Sequence, residues 1–180
     1  SASNAALGQL CLLQDEARLC LDGTWSDRDG GRGQLTLSDL ALDGLAPLLP
    51  PNLRLDGYLD ARADLRLDQQ LQLEARILPG DGNLRVLGLE GDEQIIPYQQ
   101  ARVDLRIEDR DVEAALQFGF LEGGTVSAQV AARPRADGEL TLAGNARADL
   151  TELRWLEMLA PQIREPAGRI GADVDLAGTL

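Results

Sequence analysis

Residues 53–68, LRLDGYLDARADLRLD, alternate apolar and polar side chains almost without interruption. Leu53, Leu55, Gly57, Leu59, Ala61, Ala63, Leu65 and Leu67 fall on one parity. Arg54, Asp56, Tyr58, Asp60, Arg62, Asp64, Arg66 and Asp68 fall on the other. Successive side chains of a strand point to opposite faces, so this pattern predicts one or two strands with one wet face and one apolar face. The wet face reads as a surface ladder of Arg and Asp, each pair contributing from a few tenths to ~1 kcal/mol. The apolar face poses the functional question. Either a second layer of the chain covers it, or a ligand does.

The same period recurs along the chain. Leu35 and Leu37 alternate in GQLTLSD, and Leu71, Leu73, Ala75 and Ile77 share one face of LQLEARI. ARVDLRIED sets Ala101, Val103, Leu105 and Ile107 against Arg102, Asp104, Arg106 and Glu108, and DVEAALQFGF groups Val112, Ala114, Leu116, Phe118 and Phe120. Val126, Ala128, Val130 and Ala132 follow, then Leu140, Leu142, Ala146, Ala148 and Leu150, and finally Ile170, Ala172, Val174 and Leu176. Turn-forming stretches (PGDGN, EDRD, EGG, RADG) separate them, and 19 glycines punctuate the chain. The expectation is an up-and-down antiparallel meander of about ten strands.

Two stretches depart from the alternation, 37–51 and 149–163, and each is expected to hold a short helix. In the second, Thr151 caps a stripe of Leu153, Leu156 and Leu159 beside Trp155, and Pro161 stops it. Such a stripe reads as core packed on the sheet. The two interruptions are related in order: GQLTL at 33 matches GELTL at 138, LAP at 45 recurs at 159, and LDGYLDARADL at 55 resembles PAGRIGADVDL at 166. Offsets of 105, 114 and 111 residues give a weak repeat of about 110, with 33–67 resembling 138–176. Residues 1–5, SASNA, read as a cloning remnant, and 6–180 as a single β-rich segment excised from a longer repetitive protein.

A net charge of −13 argues against nucleic acid and against electrostatic docking on anionic lipid headgroups. No apolar run approaches the roughly 20 residues of a membrane-spanning helix. The two cysteines sit in CLLQDEARLC. If Asp15 and Glu16 form a two-residue hairpin loop, Cys11 falls opposite Cys20 at a non-hydrogen-bonded position, the closer kind, which suits a disulfide and an oxidising compartment. The alternative is two buried free thiols.

The strands are all amphipathic, as a closed β-sandwich would also require. Aromatic residues make up only 3% of the chain, few for filling a space between two sheets, and long cross-connections are absent. A long curved sheet folded into a U-shaped trough fits as well, its apolar face open. An open apolar face marks a binding site. Aliphatic walls suit hydrocarbon: a methylene buried is worth ~0.8 kcal/mol, so an acyl tail of about sixteen carbons has on the order of 13 kcal/mol at stake. The expected lining is Leu53, Leu55, Leu59, Leu65, Leu67, Leu71, Leu73, Ile77, Val103, Leu105, Ile107, Leu116, Phe118, Val126, Val130, Leu140, Leu142 and Val174. Gly57, Ala61 and Ala63 leave room in the floor, for a tail or for a packed helix.

CLLQDEARLCLDGTW followed by LALDGLAPLLPPNLRLDGYLDARADLRL resembles the TamB family of bacterial envelope proteins. The resemblance rests on Cys11, Cys20, Gly23, Trp25, Pro47, Pro50, Pro51, Leu55, Gly57 and Leu59, and is most specific over residues 10–67. It implies a β-taco, a U-shaped β body with a greasy interior, in a protein anchored in the inner membrane of a Gram-negative bacterium and crossing the periplasm. It further implies pairing with the outer-membrane barrel TamA through a region outside this chain, outer-membrane biogenesis, and movement of phospholipid between the membranes.

No enzymatic activity is expected. The chain has no histidine, no phosphate-cradling glycine loop after a strand and no Cys/His metal set, so no cofactor or metal is assigned. The carboxylates fall at water-facing strand positions and turns, and PGDGN offers too few ligands for calcium. Two other readings stay open: a chaperone-like groove or edge that accepts strands of unfolded outer-membrane proteins, and a purely structural β repeat.

Overall fold

A computed structural model describes residues 3–87, 93–121, 123–135, 138–151, 153 and 168–179. The described chain is built of strands β1 (Asn4–Gln14), β2 (Ala17–Ser26), β3 (Gly30–Ala41), β4 (Leu53–Asp56), β5 (Tyr58–Leu67), β6 (Leu71–Pro79), β7 (Gly82–Leu87), β8 (Glu93–Glu108), β9 (Asp111–Phe120), β10 (Gly124–Pro134), β11 (Leu140–Leu150) and β12 (Ile170–Thr179). Ten of them lie side by side in the order β1-β2-β3-β5-β6-β8-β9-β10-β11-β12, with β4 and β7 off this path. Every pairing is antiparallel. The sheet is one open layer. It is the trough-forming meander expected from the alternation, and not a sandwich closed on itself.

The opening stretch forms two strands rather than one because Gly57, at φ +129°, breaks it between β4 and β5. Its partner breaks at the same level, between β6 and β7. Leu53–Asp56 pair with Val86–Asn83, and Leu59–Leu67 pair with Pro79–Leu71. The result is a single hairpin bent at a glycine corner. β8 spans the bend, pairing with β7 through its first half and with β6 through its second. Registers also shift at Gly8–Gln9 in β1, Ser38–Asp39 in β3 and Gln100–Ala101 in β8. Such bulges bend a strand and increase its twist. Asp39 and Gln100 take positive φ values of 56° and 55° there, and the Asp39 backbone N–H donates to the Asp60 carboxylate at 3.0 Å.

Of the two expected helices, the first is a 3-10 turn, Leu42–Leu48, with Pro47 inside it and no side-chain cap. Pro47 supplies no N–H to an α-helical ladder, and the run is too short to propagate one. In the second stretch only residues 149–151 and 153 are described, and Asp149 and Leu150 end β11. The rest of that expectation lies outside the described residues. At the chain start, Asn4 and Ala5 already belong to β1, opposite Ser26 and Trp25.

The layer buries little. The chain exposes 12638 Å², whereas a compact monomer of this mass exposes about 8,500 Å². Among the described residues, the buried apolar side chains are Cys20, Leu42, Tyr98, Ala101 and Leu153. Leu42, Tyr98 and Ala101 form one cluster at the glycine corner, with Leu45, Leu55, Leu59, Leu84, Phe118 and Phe120 packed around them. Tyr98 lies over the two corner glycines and donates its hydroxyl proton to the Asp56 carbonyl oxygen at 2.9 Å.

Candidate functional site

Strand register turns the sequence alternation into continuous rows. Leu12, Leu19, Leu37, Ala61, Ile77, Val103, Leu116, Ala128, Ala146 and Val174 are consecutive partners across all ten strands of the path. The next row is Leu10, Leu21, Leu35, Ala63, Ala75, Leu105, Ala114, Val130, Gly144 and Leu176. A third joins Leu65, Leu73, Ile107, Val112, Ala132 and Leu142. Nine inter-strand steps of about 4.8 Å make each complete row about 43 Å long. Neither complete row contains a polar side chain. At mid-sheet most row residues, Ile77, Val103, Leu105 and Val130 among them, are half-buried by their neighbours in the same layer, and the most open are Leu65 at 39% and Leu116 at 40% exposed.

The expected lining residues share this face but not one environment. Leu55, Leu59 and Phe118 pack into the corner cluster. Leu53 lies beside it in β4, opposite Val86. Leu67 and Leu71 pair next to the β5–β6 turn, Val126 pairs with Phe118, and Leu140 pairs with Pro134 near the β10–β11 turn. Leu65, Leu73, Ile77, Val103, Leu105, Ile107, Leu116, Val130, Leu142 and Val174 stand in the open rows. Gly57 does not leave room for a ligand: a Cβ there would meet the Tyr98 hydroxyl at 2.9 Å. The expected lining omitted Leu10, Leu12, Leu19 and Leu21, because Leu12–Leu13 and the two cysteines blur the alternation of β1 and β2. Tyr98, the anchor of the corner, sits in IIPYQQ, a run with no clean period.

The opposite face is ionic. Arg62 meets Asp64 at 3.2 Å, Arg76 meets Asp104 at 3.0 Å, Arg106 meets Glu108 at 2.5 Å and Arg147 meets Asp173 at 2.5 Å. Hydrogen bonds from Arg102, and then from Arg76, hold the Asp104 carboxyl below its ordinary range. Gln34 and Arg62 do the same for Asp64. The Cys11–Cys20 disulfide lies on this face, in the register counted from the Asp15–Glu16 turn, with Cα atoms 4.1 Å apart. Cys20 in turn pairs with Thr36.

A recess of about 1150 Å³ also runs along the charged face, where Arg62, Arg76 and Glu74 stand beside the small Ala115, Ala131 and Ala143, and Leu37, Leu105 and Val130 of the apolar rows border it as well. Its charged groups are ion-paired, Arg62 with Asp64 and Arg76 with Asp104, so hydrocarbon lying there would have to desolvate them. The apolar surface in need of a cover is on the other side of the sheet.

Fold and face together define a class: a single-layer antiparallel sheet, ionic on one side and open and aliphatic on the other, of the kind that makes elongated troughs. The model of the TamB N-terminal domain matches residues 1–180, so the chain belongs to the TamB family. That family serves the bacterial envelope and outer-membrane biogenesis, with partners in the translocation and assembly module. Neither a curated protein nor a solved structure matches the chain. No helix among the described residues is long and apolar enough to cross a membrane.

Proposed function

We propose that the aliphatic rows carry phospholipid acyl chains, making this chain one stretch of a periplasmic conduit between the inner and outer membranes. The carrying observation is the pair of complete rows, about 43 Å long, uncovered by any second layer among the described residues. The chemistry is binding without catalysis. The chain would act within a protein anchored in the inner membrane, with the outer-membrane barrel TamA engaged through a region outside these residues. Burial of hydrocarbon at ~0.8 kcal/mol per methylene supplies affinity without polar recognition.

The test is phospholipid co-purifying with the full chain, quantified by mass spectrometry. Leu105→Asp with Val130→Asp, both in one open row, should remove most of it while the thermal midpoint holds. Gln129→Asp on the ionic face should change nothing. Equal lipid in all three proteins would sink the proposal. A second reading, strand acceptance by edge pairing, has one observation in its favour: β1 is wholly exposed and carries no charged residue over 11 positions. It requires crosslinks from β1 to partner polypeptide in place of lipid.

A further inference from the structure

The two outer strands of the sheet are fastened by different chemistry. At one side, Arg147 of β11 pairs with Asp173 of β12 at 2.5 Å, and Arg169 pairs with Asp149. At the other, β1 carries no charged residue, so no side-chain ion pair holds it. All eleven of its residues are exposed. Leu10 and Leu12, opposite Leu21 and Leu19, stay 53% and 62% exposed. A bulge at Gly8–Gln9 interrupts its register with β2. Besides backbone pairing, β1 has a tie at each end. Near the turn it is the Cys11–Cys20 disulfide. At the far end, the Ser3 N–H donates to the Asp27 carboxylate at 2.8 Å, and the Ser3 carbonyl accepts from the Asp27 N–H at 3.2 Å. Those hydrogen bonds compete with water, so the disulfide is the stronger tie.

The two sulfurs are not equally open. Cys11 is exposed on the outermost strand, whereas Cys20 is 6% exposed and pairs on its other side with Thr36. In thiol–disulfide exchange a thiolate approaches one sulfur from behind, in line with the bond that breaks. Behind Cys20 lies β3, and behind Cys11 no strand stands among the described residues. A monothiol bound at Cys11 would be expelled again by Cys20, whose Cα is only 4.1 Å from that of Cys11. A dithiol resolves the mixed disulfide itself.

We propose that Cys11–Cys20 is a redox latch on β1, opened by a protein dithiol of the Cys-x-x-Cys kind. One thiolate of the dithiol attacks the Cys11 sulfur, the Cys11–Cys20 bond breaks, and Cys20 leaves with the electron pair and takes up a proton. The second thiolate then displaces Cys11 from the mixed disulfide. Two electrons pass to the chain, so the dithiol ends as a disulfide and the two cysteines as thiols. β1 then lifts away, β12 keeps its ion pairs, and the backbone of β2 is left open to a strand from another polypeptide. None of this depends on lipid carriage.

The test treats the full chain with a thioredoxin whose second active-site cysteine is replaced by serine, which holds the mixed disulfide, and separately with dithiothreitol. Peptide mapping should place the thioredoxin adduct on Cys11. An adduct on Cys20, or none, overturns the proposal. In dithiothreitol, amide exchange over residues 4–14 should rise on the order of tenfold or more, with β9–β12 unchanged. Glutathione at equal thiol concentration should open the latch far more slowly, and an equal rate overturns the dithiol assignment. Exchange in β1 that stays unchanged after full reduction, or that rises equally along the whole sheet, overturns the latch.

Discussion

A methyl group on residue 82 would sit 2.1 Å from the Asp56 carbonyl oxygen and 2.6 Å from the Tyr98 hydroxyl. Gly57 carries the further demand of φ +129°, a conformation few side chains tolerate. Gly82→Ala is therefore expected to cost about 2–4 kcal/mol in urea denaturation, since backbone must move. Tyr98→Phe, which only removes the hydrogen bond to Asp56, should cost about 1 kcal/mol. Gly57 stands in phase with the leucines of its strand, so its parity was legible in the sequence. Its purpose was not. The side chain that fills its space comes from Tyr98, 41 positions later, and alternation carries no information about such long-range contacts.

Two elements have energetics of their own. The Cys11–Cys20 disulfide closes a loop of sequence separation 9 at the outermost hairpin, which loop entropy values at about 2.5 kcal/mol. Cys11→Ser with Cys20→Ser should speed amide exchange in β1 and β2 and leave β9–β11 unchanged. This pairing was legible because a two-residue turn fixes register, and register fixes which side chains meet. The 3-10 turn was legible as a short helix breaking the alternation, but its packing was not, because local signals locate Gly44 and Pro47 and not the cluster that Leu42 forms with Tyr98 and Ala101. On the ionic face, the Asp64 and Asp104 carboxyls titrate below their unfolded range. Their contribution is thus full above about pH 4 and is lost as pH falls through the folded values. Asp104→Asn should lower the urea midpoint at pH 7 and flatten its decline between pH 4 and pH 2.

At the scale of the molecule, one layer must stay folded while exposing its own apolar face. Stability then comes from strand pairing and the corner cluster, and the open rows are free to serve a ligand. The distinction separates two substitutions of equal chemistry. Leu59→Asp strikes a residue packed on Leu42 and Tyr98 and should destabilise by about 3 kcal/mol or more. Leu105→Asp strikes an open row and should leave the melting temperature within a few degrees. Period-two patterning made the two faces and the meander visible, since most of the strands obey it, with β1, β2 and the first half of β8 as exceptions. It could not separate packed leucines from open ones, because the same alternation serves a face covered by protein and a face covered by lipid.

The most direct measurement is site-specific photocrosslinking in living cells, with a benzophenone residue placed in turn at Leu105, Leu116 and Val130 in the open rows and at Arg106, Glu113 and Gln129 on the ionic face. Phospholipid adducts identified by mass spectrometry are expected from the first three positions and not from the second three. Adducts absent from Leu105, Leu116 and Val130, or equally abundant on both faces, would contradict the claim that the aliphatic rows carry lipid.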